Sequence, residues 1–543
     1  MPKRLILLSG PVSSGKTTLA KSLAAEFGVR QIKTRMLIVA ATSAEENRGS
    51  LQEAGERLDA ADGGKWLADA IAREAEGFDE DAEVVVDSVR IAGQIEAIRS
   101  EFGPRVLHVH ITGGERELEA RYEERKRHGP AGRELPSYAQ VRQNATERQV
   151  DTLAEIADVV VSTDQCTQDD VLVRVAAHVG YYGRGTQRLV DVLVGGQWGS
   201  EGKGHIASYL APEYSVLVRV GGPNAGHKVY RHDDQVHAFY HLPSGTLHAP
   251  EAQLVLGPGA VIYVPKLLQE IADAKVTTDR MNIDPQAMII EDSDREFEGT
   301  TLRRSIASTG QGVGVATARK VLRGAYPGGP PVRLARDVAE LKPYLRPTRP
   351  ILDAVFRQGK RVCLEGTQGT ALSLHHGDYK WVTSRDTTVS GCLADAGIAP
   401  SRVRRIVMVC RTYPIRVQNP DDAGEHSGPM GKEIGWDVVA QRSGIPIEEF
   451  RSKEKTTTTN RERRVAEFNW ALLRHATSLN GPTDIALSFA DYIAAQNKDA
   501  RRFEQLTPPT IQFIEEIERV TSAPVSLIST RFEKRSIIDR RRW

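Results

Sequence analysis

Two glycine-rich turns, each placed between a β-rich run and an amphipathic stretch, constrain this chain more than any other feature. The first, Gly10-Pro-Val-Ser-Ser-Gly15-Lys16-Thr17, fits GxxxxGK[ST] and follows the run Arg4–Leu8. Such a loop needs glycines so that backbone N–H groups can surround phosphates, a lysine for the β/γ charge, and a hydroxyl for Mg²⁺. Gly10, Gly15, Lys16, Thr17 and Thr18 are therefore candidate ATP-binding residues, with Thr17 the metal-side hydroxyl. Asp87, at the end of the run Glu83–Asp87, is placed to hold Mg²⁺ or its water. The second turn, Gly195 to Gly204 (GGQWGSEGKG), repeats the strand–loop–helix arrangement after Leu189–Val194.

Short β-rich runs (Val106–Ile111 and Val159–Ser162 are further examples) alternate with helical stretches such as Thr17–Phe27 and Glu115–Lys126. That alternation predicts an α/β fold built from βαβ units around parallel sheets. GYYGRGTQR, after His178, carries three glycines and no apolar periodicity and reads as a linker. The expected organisation is two P-loop-like units, residues 1–183 and 187–543.

Lys plus Arg total 72 and Asp plus Glu 71, for a formal charge of +1, which argues against nucleic acid or an anionic membrane as partner. The four cysteines are widely separated with no CxxC pair, so a reducing cytoplasmic setting is expected rather than a disulfide framework or thiolate zinc site. LILL is too short for a signal-peptide core, and no run approaches the roughly 20 apolar residues of a membrane span.

The first unit resembles the nucleoside monophosphate kinase group of P-loop proteins. The resemblance implies that Arg90 meets an acceptor phosphate and that RYEERKRHGPAGR, Arg121 to Arg133, forms a lid. As a charged helix end, the same segment reads equally as a solvated face. The monophosphate it would take, or whether it only hydrolyses ATP, stays open.

After the second loop come, in order, GGPNAGHK (Gly221–Lys228), STGQGVG (Ser308–Gly314), EGTQGT (Glu365–Thr370), VTSRDTT (Val382–Thr388) and TTTNRERR (Thr457–Arg464). Together these resemble adenylosuccinate synthetase across essentially all of 187–543. The resemblance implies an NTP-dependent ligase joining L-aspartate to C6 of a 6-oxopurine nucleotide: the purine oxygen is phosphorylated, then the aspartate amine displaces the phosphate. It implies His227 as the catalytic histidine, Gly226 as a carbonyl ligand of Mg²⁺, and Asn224 as a nucleotide contact. Gly199, Glu201, Gly202, Lys203 and Gly204 would cradle the donor phosphates, ATP or GTP, with Lys203 also acting in catalysis. Thr309, Gln368 and Thr383 match acceptor contacts, and Arg323 an arginine lent across a homodimer interface. Thr459, Arg461 and Arg463 match the aspartate-recognition loop, Arg461 also reaching the acceptor, and guanidinium forks suit a dicarboxylate. Asp491 in SFAD and Ser529 in ISTRFEKR match the donor-base segments. The implied partners are small molecules (a purine monophosphate, L-aspartate and an NTP) and a second copy of the chain.

Ser200 departs from the pattern. Most members carry an aspartate there that takes the purine N1 proton and binds Mg²⁺, whereas serine is a far weaker base and poorer ligand. Its smaller, uncharged hydroxyl leaves room for an exocyclic amine at the purine 2-position, and the same serine marks a phage-associated branch acting on dGMP. Phe489 stands where the family has a donor-reading lysine, and Arg531 replaces a glycine. An aromatic face stacks on any purine, so donor choice between ATP and GTP is expected to be relaxed. Three readings remain: a ligase using (d)GMP, an ordinary IMP-using synthetase, and a nucleotide-sensing pseudoenzyme.

Overall fold

In the computed structural model, the described residues are 2–45, 47–79, 81–128, 136–182, 187–231, 233, 235–324, 329–418, 427–455, 462–533 and 535–543. The chain divides into two compact units, Met1–Gly183 and Arg184–Trp543.

The first unit holds a five-stranded parallel sheet in the order Arg30–Ile32, Glu83–Val86, Arg4–Ser9, Val106–Thr112, Val159–Ser162. Period-2 alternation sorts its central strand between two layers. Ile6 and Leu8 pack with Leu19, Leu23, Val171 and Val175, from helices Lys16–Phe27 and Gln168–Val179. Leu5 and Leu7 pack with Leu67, Ile71, Ile95 and Ile98, from helices Lys65–Ala75 and Ala92–Phe102. Strand order reverses at Arg4–Ser9, so the crevice beyond its carboxyl end, where α/β sheets bind ligands, is the place where Gly10–Thr17 begins. Gly10 is required there: its φ is +139°, and a Cβ would lie 2.1 Å from the Ile111 carbonyl oxygen. The runs expected as strands and helices all form within a residue or two. The short strand Arg30–Ile32 and the helices Thr34–Thr42 and Arg48–Asp62 join them.

The second unit is built on a nine-stranded sheet. Its order is Met281–Ile283, Gln253–Leu256, Val216–Arg219, Val362–Gly369, Val190–Gly195, Val403–Arg411, Asp484–Ser488, Val525–Ser529 and Ile537–Asp539, parallel except for the last strand. Val190–Gly195 lies in the middle and is buried along its whole length. The second glycine-rich turn leaves its carboxyl end and enters helix Lys203–Leu210. A hairpin, His227–Tyr230 with Val236–Phe239, carries His227. A three-stranded sheet (Ile415–Arg416, Arg464–Ala466, Glu433–Ile434) takes its middle strand from the end of the aspartate-loop motif. Among the described residues no helix is long and apolar enough to cross a membrane.

Candidate active site

Each unit has its own cavity. That of the first, about 1040 Å³, is lined by Ser13–Thr18, Arg35, Asp87, Arg90, Arg125 and Glu147 among others. The Lys16 ammonium donates to the Gly10 and Pro11 carbonyls, both at 2.7 Å. Burial, and then the charge of Arg90, lower its pKa to about 7. Asp87 accepts the Thr34 N–H at 3.0 Å, yet burial still raises its pKa. Arg90 pairs with the buried Glu147 and donates to Ser88 Oγ at 3.1 Å. Arg125 reaches Ser13 Oγ at 3.3 Å, but 129–133 of the expected lid lie outside the described residues.

The cavity of the second unit, about 980 Å³, gathers Gly199–Gly204, Asn224, Gly226, His227, Thr309, Gln368, Thr383, Arg463 and Asp491. His227 sits at the start of its hairpin, and its ring is clamped from two sides. Nδ1–H donates to the Glu365 carboxylate, and Nε2 lies 3.0 Å from the Thr367 carbonyl. Glu365 also accepts the Ser244 N–H at 2.8 Å and stands 3.8 Å from the Arg219 guanidinium, whose other arm donates to the Ala225 carbonyl at 3.0 Å. Burial by itself would raise the pKa of Glu365, but His227, Arg219 and Ser244 outweigh it and bring it to about 2. Burial, with the Arg219 charge beside it, lowers that of His227. Both ring nitrogens therefore face acceptors, the Glu365 carboxylate at Nδ1 and the Thr367 carbonyl at Nε2, which fixes the ring's orientation while burial disfavours its charged form; a phosphoryl oxygen near Nε2 would compete with Thr367 for its N–H.

The phosphate loop is closed on itself. Glu201 is fully buried and accepts the N–H groups of Gln197 (3.1 Å) and Gly199 (2.8 Å) and the Lys203 ammonium (2.7 Å). Gly369 passes so close that a Cβ would meet Glu201 Oε1 at 2.3 Å. Glu201, expected among the donor contacts, lines the cavity while its carboxylate turns inward and shapes the loop. Ser200 is exposed at the rim with φ +57°, its carbonyl accepting from Arg411 at 3.3 Å. Thr309 Oγ1 donates to Asn224 Oδ1 at 3.4 Å, joining two of the expected acceptor contacts.

Other expectations fare differently. Ser529 is buried off the cavity, its hydroxyl given to the Arg531 carbonyl at 2.9 Å, because strand alternation turns it away. Arg323 is exposed beyond helix Val313–Val321 and does not line its own chain's cavity. The Phe489 ring is not a bare stacking surface: the Arg411 guanidinium lies 4.2 Å from its centroid and Tyr492 packs at 5.0 Å. Thr459 and Arg461 lie outside the described residues. Among the described residues no cluster of three acidic, histidine or cysteine side chains could hold a metal ion.

The adenylosuccinate synthetase family model matches residues 192–327 and 332–498. This chain belongs to the adenylosuccinate synthetase family. The adenylosuccinate synthetases of Pyrococcus horikoshii and Methanocaldococcus jannaschii are similar to it at 35% and 36% identity, over 64% of this chain and 98% and 96% of theirs. Among solved structures, the cyanophage S-2L succinoaminodeoxyadenylate synthetase, bound to dGMP and to dATP as an energy donor, is similar at 30% identity and TM-score 0.54. That match covers 65% of this chain and 96% of the phage one. The fully ligated adenylosuccinate synthetase of Plasmodium falciparum shares the fold, with TM-score 0.56 and 22% identity over 65% of this chain and 100% of that one. The C-terminal unit is therefore an adenylosuccinate-synthetase-type aspartate ligase of purine biosynthesis, with a mixed α/β fold on a parallel sheet.

Two carboxylates of this synthetase site escaped the reading of the sequence. Glu365 opens EGTQGT, where a charge interrupts a buried apolar strand, a signal that was available. Glu454 had none. It accepts from Arg411 (2.9 Å), Arg463 (3.2 Å) and Tyr492 OH (2.6 Å), which overcome its burial and lower its pKa to about 2. It thereby holds Arg463, the described arginine of the aspartate loop. Because both folded pKa values are depressed, the stability these carboxylates contribute is complete above the unfolded value of about 4.3 and is lost as pH falls toward about 2. Denaturant midpoints measured down that range should fall, and Glu454→Gln should flatten the fall.

Proposed function

We propose that the second unit ligates L-aspartate to C6 of a 2-amino-6-oxopurine nucleotide, dGMP or GMP, in preference to IMP. The observation carrying this reading is the rim of the cavity that holds His227: Ser200 offers an uncharged hydroxyl there, and the neighbouring carboxylate is committed inward to Lys203 and two backbone N–H groups. A hydroxyl both accepts from an exocyclic amine and leaves it room. The S-2L neighbour, whose structure holds dGMP, supports the same choice. In the reaction, His227 hydrogen-bonds the purine oxygen and receiving phosphoryl group through Nε2, with Glu365 fixing its other nitrogen. Asn224, Thr309, Gln368 and Thr383 orient the acceptor, and Arg463, with Thr459 and Arg461, binds the carboxylates of aspartate. Lys203 and the loop backbone neutralise the donor triphosphate, ATP or GTP.

Ser200 and Gly226 both line the cavity, and the serine hydroxyl and glycine carbonyl are hard oxygens that would suit Mg²⁺, which keeps most of its shell in water and phosphate oxygens and would polarise the transferring phosphoryl group. Arg323 serves the partner's nucleotide in a cytoplasmic homodimer. Incubation with dGMP, aspartate, Mg²⁺ and ATP should give a succinyl adduct by mass spectrometry; its absence with dGMP and GMP alike would overturn the reading.

The first unit, residues 1–183, is a P-loop kinase-like domain that binds ATP through Gly10–Thr18, with Thr17 and Asp87 on the Mg²⁺ side and Arg90 toward a monophosphate acceptor. The depressed pKa of Lys16 makes ATP binding take up a proton above about pH 7, so affinity should weaken as pH rises. Calorimetry in buffers of different ionisation enthalpy checks this. Lys16→Ala should abolish both the proton uptake and phosphoryl transfer by this unit.

A further inference from the structure

Asp491 lines the synthetase cavity with Phe489, Arg531 and Phe532, on the short helix Ala490–Tyr492 that follows the strand Asp484–Ser488. It is 4% exposed, and its Oδ1 meets no hydrogen-bond donor among the described residues. A buried, unpartnered carboxyl oxygen is costly unless a ligand satisfies it.

The cations around it are committed elsewhere. Lys453, at the end of helix Ile447–Lys453, binds Glu449 at 2.7 Å, and Lys498, from Ala495–Asp499, binds the same carboxylate at 3.0 Å. Arg531, from the turn after Val525–Ser529, pairs with Glu533 at 2.8 Å. Tyr492, the next residue, gives its hydroxyl to Glu454. Burial consequently prevails over Lys498 and Lys453, and the Asp491 pKa rises to about 7, which populates both its forms near neutrality. At position 489 an aromatic ring, itself engaged by Arg411, stands in place of a second polar group that would read the base.

The two forms of a carboxyl group complement different purine edges. A neutral acid presents one O–H donor and one acceptor, which matches the N1 acceptor and 6-amine of an adenine base. A carboxylate presents two acceptors, which matches the N1–H and 2-amine of a guanine base. Resting on the donor-site reading above, we propose that Asp491 selects the phosphoryl donor by its protonation state, taking adenine triphosphates when neutral and guanine triphosphates when ionised.

The test uses the full chain with saturating acceptor and aspartate, and measures kcat/KM for ATP and for GTP from about pH 6 to about pH 8. Effects of pH on the acceptor, on aspartate and on the triphosphate chain are shared by both donors and cancel in the ratio. The ATP-to-GTP ratio is expected to be highest at the acid end and to fall by up to about tenfold per pH unit through the titration. Asp491→Asn, whose amide carries a donor beside an acceptor as the neutral acid does, should keep a high, flat ratio. A wild-type ratio that is constant across the range overturns the proposal, as does an Asn variant that retains the slope; the wild-type profile decides even if that variant does not fold. Should neither donor support ligation, calorimetric binding of non-hydrolysable ATP and GTP analogues separates the two claims. Base preference that changes with pH keeps the proposal while the ligase reading falls, and binding without such a change overturns the proposal itself.

Discussion

Glu365→Gln is expected to lower the kcat for succinyl-nucleotide formation by about 10²- to 10⁴-fold, the range a positioned proton-transfer group supplies. Glutamine keeps the shape of the side chain but removes its charge. The proton on Nδ1 of His227 is then no longer enforced, since the amide can present either N–H or C=O to the ring. The Arg219 charge, 3.8 Å from Glu365, then keeps only the Glu270 carboxylate to offset it and pushes the histidine pKa down further. Both changes disfavour an Nε2 proton at the moment phosphoryl charge develops. Donor and acceptor KM should move far less than kcat, and His227→Asn should be at least as damaging. A Gln variant with near-wild-type kcat would show that Glu365 only braces the Ser244 turn.

Ser200→Asp is expected to reverse acceptor choice, with dGMP and GMP turnover falling by about a hundredfold and IMP turnover rising. A carboxylate at that rim supplies the base for the N1 proton and another hard ligand for Mg²⁺, but occupies the space a 2-amine needs. The backbone conformation is itself a constraint: Ser200 has φ +57°, a region that aspartate tolerates better than most residues, so the exchange should leave the loop intact. Steady-state rates with each acceptor measure it. An Asp variant that still prefers dGMP would place the acceptor choice elsewhere in the cavity.

The glycine-rich turns, His227 and Ser200 were legible because their chemistry is written in contiguous residues, and the strand–turn–helix context of each turn is local. The clamps that tune them are long-range. Glu365 meets His227 across 138 positions, and Glu454 meets Arg411 across 43, so neither pairing leaves a local spacing to read. Phe489 was expected to offer an open ring. In the sheet, however, Arg411 pairs in register with Ser488, the residue before Phe489, and its guanidinium covers the ring. Ser529 looked like a cavity residue by motif, but the strand pleat directs its hydroxyl to Arg531. Glu201 looked like part of a phosphate cradle and proved to be the anion around which the cradle is built.

The most direct test of the central claim is a competition in which equimolar IMP, GMP and dGMP are offered to the full chain with aspartate, Mg²⁺, ATP and GTP, and the succinyl products are resolved by mass. The account predicts that succinylated 2-aminopurine nucleotides dominate from the earliest time points. Succinylated IMP as the sole product would contradict it, and would make Ser200 a tolerated substitution in an IMP-using enzyme.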